Sequence, residues 1–184
     1  MENNQQQLYL SAIGFYEVGL EIALKIKSLR NDNVLMMISP AAVNLSFSAE
    51  LFLKLLHYYN TPTKIKKTHL LLDLFTTLPL KISKIIREKY EEFKLIKSEN
   101  LVPVRLSNNT DFNNPNDQII KYNILNLTVE ELLEIHNKSF PEWRYSYATE
   151  DYYYVTDFNF KLMNDFILAL KYVIDNQIGT DNKS

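Results

Sequence analysis

Along residues 5–30 the apolar and small positions Leu8, Ala12, Phe15, Gly19, Ile22, Ile26 and Leu29 recur every three or four residues, the spacing of one face of an α-helix. A second row, Tyr9, Ile13, Tyr16, Leu20 and Ala23, makes that face wide enough to serve two neighbours. After a polar break at 31–33, residues 34–59 carry Phe47, Leu51, Phe52 and Leu55 on one side and Leu45, Ala49, Leu53 and Leu56 on others. A helix apolar almost all round belongs in the centre of a fold. Ser39 is its expected cap and Pro40 its expected first turn.

Residues 60–68 read as a loop, with Thr68 as N-cap of a short helix ending at Thr77 and Pro79 as its stop. Over 80–97, Ile82, Ile86, Tyr90 and Phe93 share one face and charged residues fill the rest, predicting a half-buried helix. The stretch 98–127, rich in Asn and Asp and holding Pro103 and Pro115, predicts an irregular crossing with a short strand at 101–106. Thr128 and Glu131 form a capping-box pattern opening a helix over 129–140, with Pro141 at its exit. The last helix shows two rows, one from Val155 and Phe158 through Leu162, Phe166, Ala169 and Val173, the other through Phe160, Met163, Ile167, Leu170 and Ile174. Gly179 and a tail at 179–184 end it. The expected architecture is all-α, an antiparallel bundle of about five to six helices in one domain over 1–184.

Composition narrows the chemistry more than the fold. The chain has no cysteine, which removes disulfides, thiolate metal sites and cysteine nucleophiles together and suits a reducing, cytoplasmic setting. The first seven residues are polar, with no basic cluster before an apolar run, so no secretory signal is expected. The longest uncharged stretch, 33–49, is too short and too polar for a bilayer span, so no membrane segment is expected. A formal net charge of −2 gives no general grip on nucleic acid, leaving any such role to a local patch. Three glycines, Gly14, Gly19 and Gly179, cannot build a Walker or Rossmann phosphate loop. No cofactor is expected.

The three histidines, His57, His69 and His136, lack the spacing of a zinc-binding helix, so no metal site is expected. His69 and Asp73 lie one helical turn apart, a spacing that lets a carboxylate orient an imidazole, or makes a surface or capping pair. His57 reads as a helix-terminus partner. Glu50 and Lys54 are spaced for an ion pair. Lys64, Lys66, Lys67, Lys81, Lys84 and Arg87 concentrate positive charge where a phosphate backbone could dock, or form a solvated face balanced by Glu88, Glu91 and Glu92. Trp143, Tyr145 and Tyr147 surround Arg144, an arrangement suited to stacking bases or, more simply, to packing a turn against the bundle.

Three segments follow in order: AVNLSFSAELFLKLL, with Asn44, Glu50 and Lys54; THLLLDLFTTLP, with His69 and Asp73; and FPEWRYSYATE, with Trp143, Arg144, Tyr145 and Tyr147, before a long helix. This succession resembles the HEPN superfamily of small prokaryotic helical bundles over roughly residues 44–172. The resemblance implies an antiparallel bundle, often dimeric, in proteins linked to RNA cleavage, toxin–antitoxin pairs, phage defence or partnership with nucleotidyltransferases. Active HEPN ribonucleases carry an arginine followed by a histidine four to six residues on. Here none of Arg30, Arg87, Arg105 or Arg144 has such a histidine. The nearest substitute is Lys64 with His69, and lysine lacks the forked geometry that arginine offers a phosphate. The leading reading is therefore a non-catalytic or accessory HEPN-like module, homodimeric and binding RNA or a protein. The alternatives are a metal-independent endoribonuclease using His69 with Lys64, and a purely structural interaction module.

Overall fold

Helix α1 (Asn3–Ile26) and helix α2 (Asn33–Asn60) form a closely packed antiparallel hairpin. A Cβ built on Gly19 would stand 2.9 Å from Leu45 Cγ and 3.0 Å from the Leu45 backbone nitrogen, so only glycine permits this approach. The Ser48 hydroxyl crosses the same seam to donate to the Ala12 carbonyl at 2.8 Å. The computed structural model describes residues 3–28, 33–60, 68–107, 126–144 and 155–181.

Helix α2 is the central element and packs against α1, α3 (Leu71–Thr76), α6 (Ser139–Arg144) and α7 (Phe160–Asp181). Leu45, Ala49, Phe52, Leu53, Leu55 and Leu56 are all fully buried, as its all-round apolarity predicts. Its stretch Met36–Asn60 is long and apolar enough to cross a bilayer; its packing in the centre of the bundle accounts for the same apolarity. Pro40 lies inside this helix rather than in its first turn. The turn before it continues as helix because Val34, Met37 and Ile38 all pack on the core, which offsets the hydrogen bond proline removes.

Helix α4 (Leu80–Lys94) lies against α7 with Ile82, Ile86 and Tyr90 buried. The Tyr90 hydroxyl donates to the Leu127 carbonyl at 3.0 Å, fixing the chain just before α5 (Val129–Ile135). The Thr128–Glu131 capping box forms at the start of α5 as its pattern predicts.

Several boundaries differ from the sequence expectation. The fold is mostly helical, but it includes a two-stranded antiparallel sheet, β1 (Pro103–Ser107) with β2 (Val155–Asn159), in register from Pro103↔Asn159 to Ser107↔Val155. Val155 and Phe158 thus belong to a strand and not to the last helix. The Asn159 side chain accepts from the Leu162 N–H at 2.9 Å and caps α7, so helix starts only at Phe160. The helix expected over 129–140 is two pieces, broken at His136, and Pro141 sits in the first turn of α6, where a missing N–H breaks no helical bond. Thr68 does not cap α3 directly: its hydroxyl accepts from Leu70, while the Asn137 side chain accepts from the Leu72 N–H at 2.9 Å. Gly179 lies within α7 and does not end it. Of the expected irregular crossing, residues 108–125 lie outside the described residues.

Candidate functional site

Glu50 is fully buried on α2, in surroundings where an ionised carboxylate needs partners. One oxygen, Oε1, has two. Lys54, one turn along the helix, donates to it at 2.6 Å, and His69 approaches it through Nδ1 at 2.9 Å. The Glu50 side chain is 1% exposed, that of Lys54 19% and that of His69 60%, so the three form a passage from core to solvent. The other oxygen, Oε2, is buried with no hydrogen-bond partner among the described residues.

The imidazole is held in a second direction as well. Its ring stacks on Phe140 of α6 (centroids 6.1 Å, 26°), and Phe140 stacks on Phe47 of α2 (4.8 Å, 24°). With Glu50 accepting, the proton of a neutral His69 belongs on Nδ1, an assignment made from the partner. Nε2 then carries the lone pair, on a mostly exposed side chain. A carboxylate behind one nitrogen of a mostly exposed imidazole is the arrangement of a general acid–base group.

The spacing of His69 and Asp73 leaves two readings open, an oriented imidazole or a surface or capping pair; the carboxylate that meets His69 is Glu50. Asp73 stays exposed on α3, where its backbone carbonyl accepts from the Thr77 hydroxyl at 2.7 Å. Asn44 donates from Nδ2 to the Pro40 carbonyl at 2.7 Å, serving its own helix. The Arg87 guanidinium is engaged by Glu130 at 2.7 Å through two nitrogens, also meets Ser83, and lies over the Phe75 ring. Lys81 is exposed at the start of α4, and Lys84, one turn on, faces Glu88 at 3.9 Å. Lys89 and Lys94 are likewise paired, with Glu92 and Glu91, so this face is largely balanced by carboxylates. Lys64, Lys66, Lys67, Tyr145 and Tyr147 lie outside the described residues. Arg144 ends α6 and its side chain is not described, while Trp143 is buried edge-on to Phe158.

No protein-family model, curated protein or solved structure matches this chain. The other two histidines serve the fold. His57 Nε2 lies 2.7 Å from the Leu74 carbonyl and 3.3 Å from the Thr77 hydroxyl, tying α2 to α3. His136 is buried against Phe158 and accepts the Asn159 N–H on Nε2 at 3.3 Å. Burial pushes its pKa down to about 4 and keeps it neutral. Among the described residues no three His, Asp or Glu side chains converge as a metal-ligand set.

Phe47 and Phe140, which orient His69, carried no sequence signal of that role. Glu50 did carry one: a carboxylate on a helix apolar all round has to find cationic partners inside the fold.

Proposed function

We propose that this chain is a HEPN-type helical module that cleaves RNA without a metal, with His69 as its acid–base residue. The observation that supports this over a purely accessory role is the hydrogen bond that His69 Nδ1 donates to the buried Glu50 carboxylate. In this reading Nε2 accepts the proton of a ribose 2′-hydroxyl, whose oxygen attacks the adjacent phosphorus. The 5′-oxygen leaves and is protonated by the imidazolium or by water, and a 2′,3′-cyclic phosphate remains. Glu50 keeps the ring in the required tautomer and stabilises the imidazolium. Lys54 is committed to Glu50, so charge for the phosphate comes from Lys64, Lys66 and Lys67, which precede His69 by two to five residues. The proposed setting is a cytoplasmic homodimer in a bacterial defence or toxin–antitoxin system.

The second reading is the non-catalytic HEPN-like accessory module bound to RNA or to a protein such as a nucleotidyltransferase. Its support is the missing arginine: no Arg precedes His69 at the HEPN spacing, and Arg87 is held by Glu130.

Incubation of the protein with a mixed RNA pool in chelator, beside His69→Ala and Glu50→Gln, separates the two. Cleavage leaving cyclic-phosphate ends, abolished in His69→Ala and reduced at least tenfold in Glu50→Gln, supports the first. RNA left intact at high protein concentration rejects it and leaves the accessory module.

A further inference from the structure

On α7, Lys161, Asn164, Asp165 and Leu168 present one face toward α1 and the end of α4, and between these elements lies a cavity of about 250 Å³. It shares no residue with the His69 site. Its walls are apolar, from Leu20 and Leu24 of α1, Phe93 of α4, Ile96, Leu101, and Leu168 of α7. Its polar groups converge. The Tyr16 hydroxyl donates to Asn164 Oδ1 at 2.8 Å, the Asn164 side chain hydrogen-bonds Asp165, and Lys161 donates to Asp165 and, at 3.3 Å, to the Phe93 carbonyl. Asp165 is 2% exposed.

An ion pair this buried contributes little net stability compared with apolar side chains of the same size. Capping the end of α4 accounts for Lys161, but not for the open apolar volume beside the pair. An apolar pocket with a few convergent polar groups is the usual form of a small-molecule site. Burial also raises the Asp165 carboxyl and moves the Tyr16 hydroxyl up to about 12, and perturbed groups gather at functional sites.

The hydrogen-bond inventory selects the ligand. Lys161 has three N–H groups, two of them engaged here, and the Asp165 carboxylate and Tyr16 oxygen retain lone pairs. The pair is already neutral, so a charged head would enter without a counter-charge and lose its hydration. A hydroxyl meets both needs: it accepts from the third Lys161 N–H and donates to Asp165.

We infer that the α1–α4–α7 cavity binds a small uncharged molecule of roughly ten non-hydrogen atoms, apolar except for one hydroxyl held between Lys161 and Asp165. The test uses 1-hexanol, hexylamine and hexanoate as matched probes, followed by methyl NMR on protein labelled at Leu and Ile. Expected are saturable shifts at Leu20, Ile96, Leu101 and Leu168 with hexanol, and binding at least tenfold weaker with either charged probe. Leu20→Trp fills the cavity and is expected to remove the response; Ser98→Phe, at its rim, is a second filling variant should the first fail to fold. No saturable shift with hexanol, equal affinity for the charged probes, or binding unchanged in a folded filled variant overturns the assignment.

Discussion

Gly14 and Gly19 stand on the same helix five residues apart, and the structure predicts opposite outcomes when each is changed to alanine. Each substitution gains about 1 kcal/mol of helix propensity, because alanine loses less backbone entropy than glycine. At Gly14 a new Cβ meets nothing within 4 Å, so the whole gain is kept. At Gly19 it would stand 2.9 Å from Leu45 Cγ and 3.0 Å from Leu45 N. Leu45 is fully buried and a backbone nitrogen cannot turn aside, so α1 must shift away from α2. Overpacking of this kind costs about 1–3 kcal/mol. Gly14→Ala is therefore expected to raise stability by about 1 kcal/mol, or roughly 2–4 °C in Tm for a domain of this size. Gly19→Ala is expected to lower it by up to about 2 kcal/mol. Urea denaturation of both variants beside the parent gives the difference directly, and the shared propensity gain cancels in it. A gap below about 0.5 kcal/mol would refute the close approach of the two helices.

His136 should make the fold acid-sensitive. Its folded pKa of about 4 lies below the unfolded value of 6.5, so as pH falls the unfolded chain takes up the proton first. The contribution is complete above pH 6.5 and is lost progressively down to about pH 4, a total of about 3 kcal/mol. In His136→Gln the stability difference between pH 7 and pH 4 should shrink by about that amount in chemical denaturation; an unchanged difference would show that the ring is not buried neutral. Thr128→Ala removes the α5 cap and should cost about 1 kcal/mol without altering any response of the His69 site. Equal stability of this variant and the parent in urea would mean that the capping box adds nothing.

Helical periodicity was legible wherever a helix has one neighbour-facing side, as in α1 and α4, and the all-round apolarity of α2 announced its central place. Boundaries were less legible where a tertiary contact decides them. Val155 and Phe158 fit a helical row as well as a strand, and only pairing with Val104 and its neighbours selects the strand. Asn137 satisfies the start of α3 from 65 residues away, which no local pattern reveals. The candidate site shows the same division. His69, Glu50 and Lys54 all stand out in the sequence, but local spacing offers His69 only Asp73 at i+4 as a possible partner, whereas the pairing runs to Glu50, 19 residues back. The polar floor of the α7 cavity was visible only as a lysine and an aspartate one turn apart. Its meaning depends on Tyr16, 148 residues from Asn164.

The hydroxyls of Tyr9 and Tyr16 both reach across to α7, to Asp175 and to Asn164, each at 2.8 Å. Moving forward along α1 means moving backward along α7, so the two bonds brace the helices antiparallel. On the ribosome this sets an order of assembly. Helix α2 ends at Asn60 and α7 begins at Phe160, so the α1–α2 hairpin is synthesised well before its last brace, and at about 5–20 residues per second the wait lasts on the order of 5–20 s. The seam sealed by Gly19 and Ser48 is local and available early, whereas the apolar flank of α2 that receives α7 stays uncovered for that interval. That exposed flank is where a chaperone would engage the nascent chain, and where truncated chains would aggregate.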